Sequence, residues 1–255
     1  MSKEQGREKG FAFIVGGTGG IGEAICRRLV TDWDGIFFTF RSKKAAAEEL
    51  RAELSPMGMV ECLPMELRDS KSIRSALEQA MERGPVRAVI FAGGVNILQP
   101  MVSTVTQEQW VESIETELIG FTRLVTEALP LFRKQGGGIF ASLTSSGNYR
   151  FPPGDALSAV PKAGIEMLSK AIAREEGRYG IRSNCVGPGV IDAGLVKNFQ
   201  EVLWTKETLD AIRRQIPLKR LGEASEVADA IAFLISSRAT YITGQTILVD
   251  GGFSL

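Results

Sequence analysis

A chain of 255 residues, 44% of them hydrophobic, with 30 basic and 30 acidic side chains cancelling to zero net charge, suits one doubly wound α/β unit and carries no charge signature of a nucleic-acid or membrane-surface protein. There is no histidine, which excludes His-based triads, His metal sites and imidazole acid–base catalysis. Cys26, Cys62 and Cys185 are an odd, scattered set. They are read as reduced, buried thiols rather than a disulfide framework or a metal cluster, and no metal is expected. The first ten residues are polar and unlike a secretory leader, and no apolar run is long enough to cross a bilayer, so a cytoplasmic location is expected.

In chain order, Phe11 to Val15 reads as a buried strand, and Ile21 to Trp33 as a helix with Ile21, Ala24, Ile25 and Leu29 at helical spacing. Ile36 to Phe40 is a strand, Ala45 to Leu54 a helix, Val60 to Pro64 a short strand, Ser72 to Arg83 a helix, and Ala88 to Ala92 a strand. Gln107 to Gln135 carries one long helix or two. Gly138 to Leu143 is a strand, Lys162 to Tyr179 a helix, Arg182 to Val186 a strand, Ala224 to Ser236 a helix, and Thr246 to Val249 a last strand. Strands alternating with helices predict a Rossmann-type, doubly wound parallel sheet with helices on both faces. No linker divides residues 1–255, so one domain is expected. Residues 192–221, above all Thr205 to Leu221, are the candidate substrate lid.

The first strand runs into Gly16-Gly17-Thr18-Gly19-Gly20-Ile21-Gly22, and a helix begins there. Glycines let backbone turn sharply and approach a pyrophosphate, while the helix N-terminus offers free N–H groups and a favourable dipole. The strand–loop–helix context near the N-terminus is what a dinucleotide site requires. The second strand ends Phe40-Arg41-Ser42-Lys43. An acidic residue there would bind a ribose 2′-hydroxyl and select NAD; Phe40 holds that place. Arg41 and Ser42 suit a 2′-phosphate, so NADP(H) is the expected cofactor, the alternative being a solvated basic loop.

Over nearly its whole length the sequence resembles the short-chain dehydrogenase/reductase family. The glycine loop is similar to the family's TGxxxGxG through Gly16, Gly20 and Gly22, with Val15 in place of Thr. Glu66-Leu67 resembles the Asp-Val pair that meets the adenine, and Phe91-Ala92-Gly93-Gly94 the NNAG after the fourth strand. Asn184 to Gly189 resembles the NxxxPG stretch beside the nicotinamide. The stretch Ile216 to Gly222 and the tail through Ile242-Thr243-Gly244-Gln245 to Val249-Asp250-Gly251-Gly252 are also similar. The resemblance implies a nicotinamide site formed by Gly16, Thr18, Gly19, Gly20, Ile21, Gly22, Arg41, Ser42, Glu66, Leu67, Ala92, Gly93, Gly94, Lys162, Pro188, Gly189 and Ile191. It also implies a homodimer or homotetramer assembled through the last strand and the long helices.

At the catalytic positions the sequence departs from the family. The YxxxK motif falls on Ser158-Ala159-Val160-Pro161-Lys162, so Ser158 replaces the tyrosine while Lys162 is kept. The family's active-site asparagine falls on Glu117, and the threonine that would meet the nicotinamide amide on Ala193. The catalytic serine position falls on Ser145, with Thr144 in reserve. Ser158 can donate a hydrogen bond but is far less acidic than a phenol near pKa 10; equally, it reads as a helix N-cap with Pro161 at the third helical position. Glu117 is a candidate proton relay or the ion-pair partner of a nearby cation. Tyr149, nine residues before Ser158, is the candidate substitute acid, the alternative being surface or lid packing. Lys162 to Gly189 is similar to the dienoyl-CoA reductase branch, which has Ser at the tyrosine position, retains the Lys and draws a tyrosine from the preceding loop; Glu117 departs from that branch's asparagine.

Two functions remain open at this point. One is an NADP(H)-dependent reductase of a C=C or C=O bond in a small molecule, thioesters and biosynthetic intermediates included. The other is a catalytically silent member that binds cofactor or a partner subunit. Fold alone does not decide between them.

Overall fold

The computed structural model describes residues 7–95, 100–194, 196 and 204–255. Seven strands form one sheet in the order β3-β2-β1-β4-β5-β6-β7. They are β1 (Glu8–Val15), β2 (Trp33–Phe40), β3 (Met59–Pro64), β4 (Val86–Phe91), β5 (Gly138–Leu143), β6 (Ile181–Pro188) and β7 (Thr246–Val249). Every neighbouring pair is parallel. The helices are α1 (Gly20–Leu29), α2 (Lys44–Leu54), α3 (Ser70–Met81), α4 (Gln107–Ser113), α5 (Gly120–Lys134), α6 (Ala156–Glu176), α7 (Lys206–Gln215) and α8 (Ala224–Ile235). This is the doubly wound Rossmann-type arrangement.

Because side chains alternate across a strand, each central strand feeds two cores. Ala12 and Ile14 face Ile25, Leu29 and Ile231 on one side of the sheet. Phe13 and Val15 face Ile73, Phe121 and Ile165 on the other. Parallel strands buried on both faces need such continuous apolar runs.

Several element boundaries differ from the sequence expectation by a few residues. Helix α1 stops at Leu29, and Trp33 opens β2; the β-branched pair Val30-Thr31 lowers helix propensity, and Asp32 carbonyl accepts the Glu8 N–H at 2.7 Å to bring the chain beside β1. Gln107 to Gln135 is continuous, with a π-helical stretch Ile114–Ile119 joining α4 to α5. Helix α6 begins at Ala156, with Asp155 at the N-cap.

The last boundary corrects the capping reading of Ser158. Ser158 is the third residue of α6, and Pro161 lies inside the helix. Pro161 has no N–H for the Leu157 carbonyl four residues back. The buried Ser113 hydroxyl, from α4, donates to that carbonyl instead. Within the expected lid, Lys206 to Gln215 forms α7, capped by the Thr205 hydroxyl; residues 195 and 197–203 lie outside the described residues.

Candidate active site

A cleft of about 840 Å3 opens over the C-terminal ends of all seven strands. The chain crosses from β1 to the far side of the sheet before β4, so β1 and β4 part at the topological switch point where α/β sheets bind ligands.

The floor at the switch point is backbone. Gly16 has φ +79°, and a Cβ there would lie 2.9 Å from Gly93. A Cβ on Gly22 would lie 2.2 Å from the Gly16 carbonyl oxygen, and one on Gly20 would lie 2.5 Å from the Gly194 nitrogen. Helix α1 starts immediately after this loop with Gly19 at its N-cap and no side-chain cap. Its first N–H groups therefore face the cleft where the dipole favours an anion. The cradle fits a pyrophosphate, and at Gly16, Gly20 and Gly22 no residue bulkier than glycine fits without a shift of the backbone.

The remaining positions expected to hold a nucleotide also line the cleft. Arg41 and Ser42 stand at the end of β2, Glu66 and Leu67 at the end of β3, Ala92 to Gly94 after β4, and Pro188, Gly189 and Ile191 after β6. Glu66 Oε1 accepts the Arg68 N–H at 3.0 Å, which fixes the turn between β3 and α3. Leu67 packs against Gly93 and Gly120.

At the centre of the cleft Lys162 Nζ lies 2.7 Å from Glu117 Oε2, with side-chain exposures of only 14% and 4%. The same ammonium donates to Ser158 Oγ at 3.2 Å. Ser158 and Lys162 are one helical turn apart on α6 and so share a face. Glu117 comes from the π-helical stretch, and its Oε1 accepts the Val95 N–H at 3.0 Å. The carboxylate thus ties the loop after β4 to α6 through Lys162. By donating to Ser158 Oγ, Lys162 polarises that hydroxyl and leaves the hydroxyl's own proton to donate.

Thr144 and Ser145 both line the cleft after β5. Thr144 is buried, with its hydroxyl 3.3 Å from the Val186 carbonyl. Ser145 Oγ accepts the Gly147 N–H at 3.0 Å and keeps its proton for donation. Of the two, Ser145 is the hydroxyl with a proton to offer.

Tyr149 is placed differently from the expectation. It does not line the cleft. Its hydroxyl donates to Glu166 Oε2 at 3.0 Å, and Asn148 Nδ2 donates to Glu166 Oε1 at 2.9 Å. Glu166 lies eight residues beyond Ser158 on α6, about 12 Å along the helix. Burial also pushes the phenol pKa above its ordinary value, which makes it a weaker acid. In this arrangement Tyr149 fastens the loop after β5 to α6, the packing alternative to the acid role. Among the described residues no tyrosine lines the cleft.

Among the lining residues that sequence reasoning missed are Gly147, Asp155 and Phe253. A Cβ on Gly147 would lie 2.5 Å from Asp155 Oδ2, so a single close approach joins the loop after β5 to the start of α6. Only the Gly-Gly pair before Phe253 hinted that the tail turns back.

The thiols stay out of the chemistry. Burial raises the pKa of Cys26, and that of Cys185 is pushed up to about 12. Among the described residues no cluster of acidic or thiol side chains could hold a metal ion, and no helix is long and apolar enough to cross a membrane.

Comparison with known proteins places this geometry. The family model described as enoyl-(acyl carrier protein) reductase matches residues 16–254. A 3-oxoacyl-(acyl-carrier-protein) reductase of Staphylococcus epidermidis is 31% identical, over 94% of this chain and 97% of its own. An acetoacetyl-CoA reductase of Acinetobacter sp. is 30% identical, over 96% of this chain and 98% of its own. Among solved structures, a variant of actinorhodin polyketide ketoreductase with NADPH has a TM-score of 0.90 at 26% identity, covering 96% of this chain and 97% of that one.

Proposed function

The chain belongs to the short-chain dehydrogenase/reductase family of oxidoreductases, and from that premise we propose that it is an NADP(H)-dependent reductase of an acyl thioester, working without the family's tyrosine. The observation that carries the reading is one continuous cleft with the glycine cradle and Arg41 at one end and the Glu117–Lys162–Ser158 chain at its centre. The similarity to reductases of 3-oxoacyl and acetoacetyl thioesters supports the substrate class.

Gly16 to Gly22 would hold the pyrophosphate, Arg41 and Ser42 the 2′-phosphate, and Lys162 the nicotinamide ribose. When bound, the dinucleotide supplies the hydride that reduces the substrate. The protein's own part is electrostatic. Ser158, polarised by Lys162, and Ser145 donate hydrogen bonds to the substrate oxygen where negative charge develops, an effect whose removal typically costs about 100- to 1,000-fold in turnover. Neither aliphatic hydroxyl is acidic enough to replace a phenol as the proton source. This favours reduction of a C=C bond conjugated to the thioester, because the enolate so formed takes its proton from water at carbon.

The test is anaerobic mixing of protein and NADPH with enoyl, dienoyl and 3-oxoacyl thioesters, following loss of the dihydronicotinamide absorbance. Turnover of enoyl or dienoyl thioesters ahead of 3-oxoacyl ones is expected. The absence of a cleft-lining tyrosine favours a second reading, a cofactor-binding subunit without turnover; NADPH binding with every thioester inert would establish it. Assembly as a dimer or tetramer through the tail Ile242 to Leu255 is part of the proposal, and light scattering at working concentration tests it.

A further inference from the structure

The order of the strands lays the cleft out as a line. Arg41 follows β2 and Glu66 follows β3, at one edge of the sheet; Val190 follows β6 and Phe253 follows β7, at the other. Lys162 lies between. The two ends differ in chemistry. Among the described residues the cations lining the cleft are Arg41, Lys43 and Lys162, so none comes from the β6–β7 end. That end is lined by Val190, Trp204, Ile212 and Phe253, with Gln215 beside them. A site for a phosphate, a carboxylate or a sugar would need charge or several polar groups here. The described lining suits an apolar, uncharged chain.

Phe253 is held in place by more than packing. Asp250 accepts the Gly252 N–H at 2.8 Å through Oδ1 and the Ser254 N–H at 2.9 Å through Oδ2. Gly251 and Gly252 have φ +63° and +86°, and a Cβ on either would come within 2.9 Å of Ile216 or Pro217. The tail therefore folds back tightly onto the segment after α7, and Phe253 is only 8% exposed. From the loop after β5, and without itself lining the cleft, Arg150 donates to the Phe253 carbonyl at 2.6 Å, and its guanidinium carbon stands 4.8 Å from the ring centroid.

We infer that Phe253, pinned by Arg150, is the end wall of an apolar acyl-chain subsite and sets the length of chain the cleft accepts. The inference rests on the acyl-thioester reading above and adds to it the part of the substrate that is selected. It joins a loop after β5 to the tail after β7, so the size of the subsite depends on both.

The experiment is a binding series that needs no turnover. Straight-chain acyl-pantetheine thioesters of increasing length are titrated by calorimetry into the NADPH-loaded protein and into Phe253→Ala, Phe253→Leu and Arg150→Ala. In the unmodified protein affinity should rise with chain length and then stop rising. In Phe253→Ala the break should move to longer chains, with the preference for long over short rising by at least about tenfold, the low end for one methylene in an apolar pocket. Arg150→Ala should move it the same way by less, and Phe253→Leu should hardly move it. NADPH affinity should be unchanged in all three. An unmoved break in a Phe253→Ala protein that melts normally and binds NADPH would overturn the inference. If Phe253→Ala does not fold, the Arg150→Ala series decides alone. Chain-length-dependent binding without turnover would reject the reductase reading and leave the subsite standing; turnover with a length preference that ignores both variants would do the reverse.

Discussion

The two halves of the cleft are built from different materials. The half above β1 and α1 is backbone: glycines that admit no Cβ, and helix N–H groups with no side-chain cap. The half above β5 and α6 is side chains: a carboxylate, an ammonium and a hydroxyl held by one another, with the Ser145 hydroxyl lining the same cleft. A backbone site tolerates little substitution, because adding even one methyl group fills the space. A side-chain site can be rewired while the fold around it stays. The comparison teaches that binding and chemistry are separable in this fold, and it can be broken from either half.

The largest effect should come from the side-chain half. Lys162→Met leaves the Glu117 carboxylate almost wholly buried, with the Val95 N–H as its remaining hydrogen bond among the described residues. Breaking a buried ion pair on one side typically costs about 3–5 kcal/mol, whereas replacing both partners by apolar groups is often neutral. Urea denaturation should therefore show Lys162→Met strongly destabilised and Lys162→Met/Glu117→Leu largely recovered. A double variant as unstable as the single one would mean that packing around the π-helical stretch, rather than the stranded charge, sets the cost.

The backbone half predicts loss of binding with a smaller loss of stability. Gly22→Ala puts a methyl group 2.2 Å from the Gly16 carbonyl oxygen. Overpacking of this kind costs about 1–3 kcal/mol, and the loop must shift at the place where the phosphates would lie. Calorimetry should find NADPH and NADH binding weakened together. Arg41→Ala should instead separate the two cofactors. It should weaken NADPH by about 1.5–3 kcal/mol, the range for a hydrogen bond to a charged group, and leave NADH nearly unchanged. Equal losses for both would show that Arg41 is only a solvated end of β2.

The same division explains what could be read from the sequence. The sheet, its parallel pairing and the glycine cradle were legible, because apolar runs and glycine spacing are local signals with one physical meaning. The proximity of Lys162 to Ser158 was legible only through the resemblance to YxxxK, because the sequence pattern starts the helix at Lys162, whereas it begins at Ala156. Glu117 was legible as a candidate ion-pair partner, but not as the partner of Lys162, since the two lie 45 residues apart and meet only through the packing of α6 against the π-helical stretch. Tyr149 misled for the same reason. Its distance in sequence from Ser158 said nothing of its rotation toward Glu166. Phe253 was invisible, because a tail closing a cleft depends on a turn whose contacts with Ile216 and Pro217 are all tertiary.

The smallest effect tests the seam between the halves, at the start of α6. A proline inside a helix removes one intrahelical hydrogen bond, and in α6 the carbonyl that loses its donor is that of Leu157, one residue before Ser158. Ser113 covers it with a hydroxyl from α4. Ser113→Ala should leave that buried carbonyl unsatisfied, at about 1–3 kcal/mol. Pro161→Ala restores a backbone N–H that can take the carbonyl, so in that background Ser113→Ala should cost clearly less. The coupling in a double-mutant cycle isolates the shared acceptor. Additive losses would show that Ser113 stabilises the protein by filling space and not by standing in for the missing N–H. Coupled losses would show that the turn carrying Ser158 toward Lys162 is held by a hydrogen bond from a neighbouring helix rather than by α6 itself.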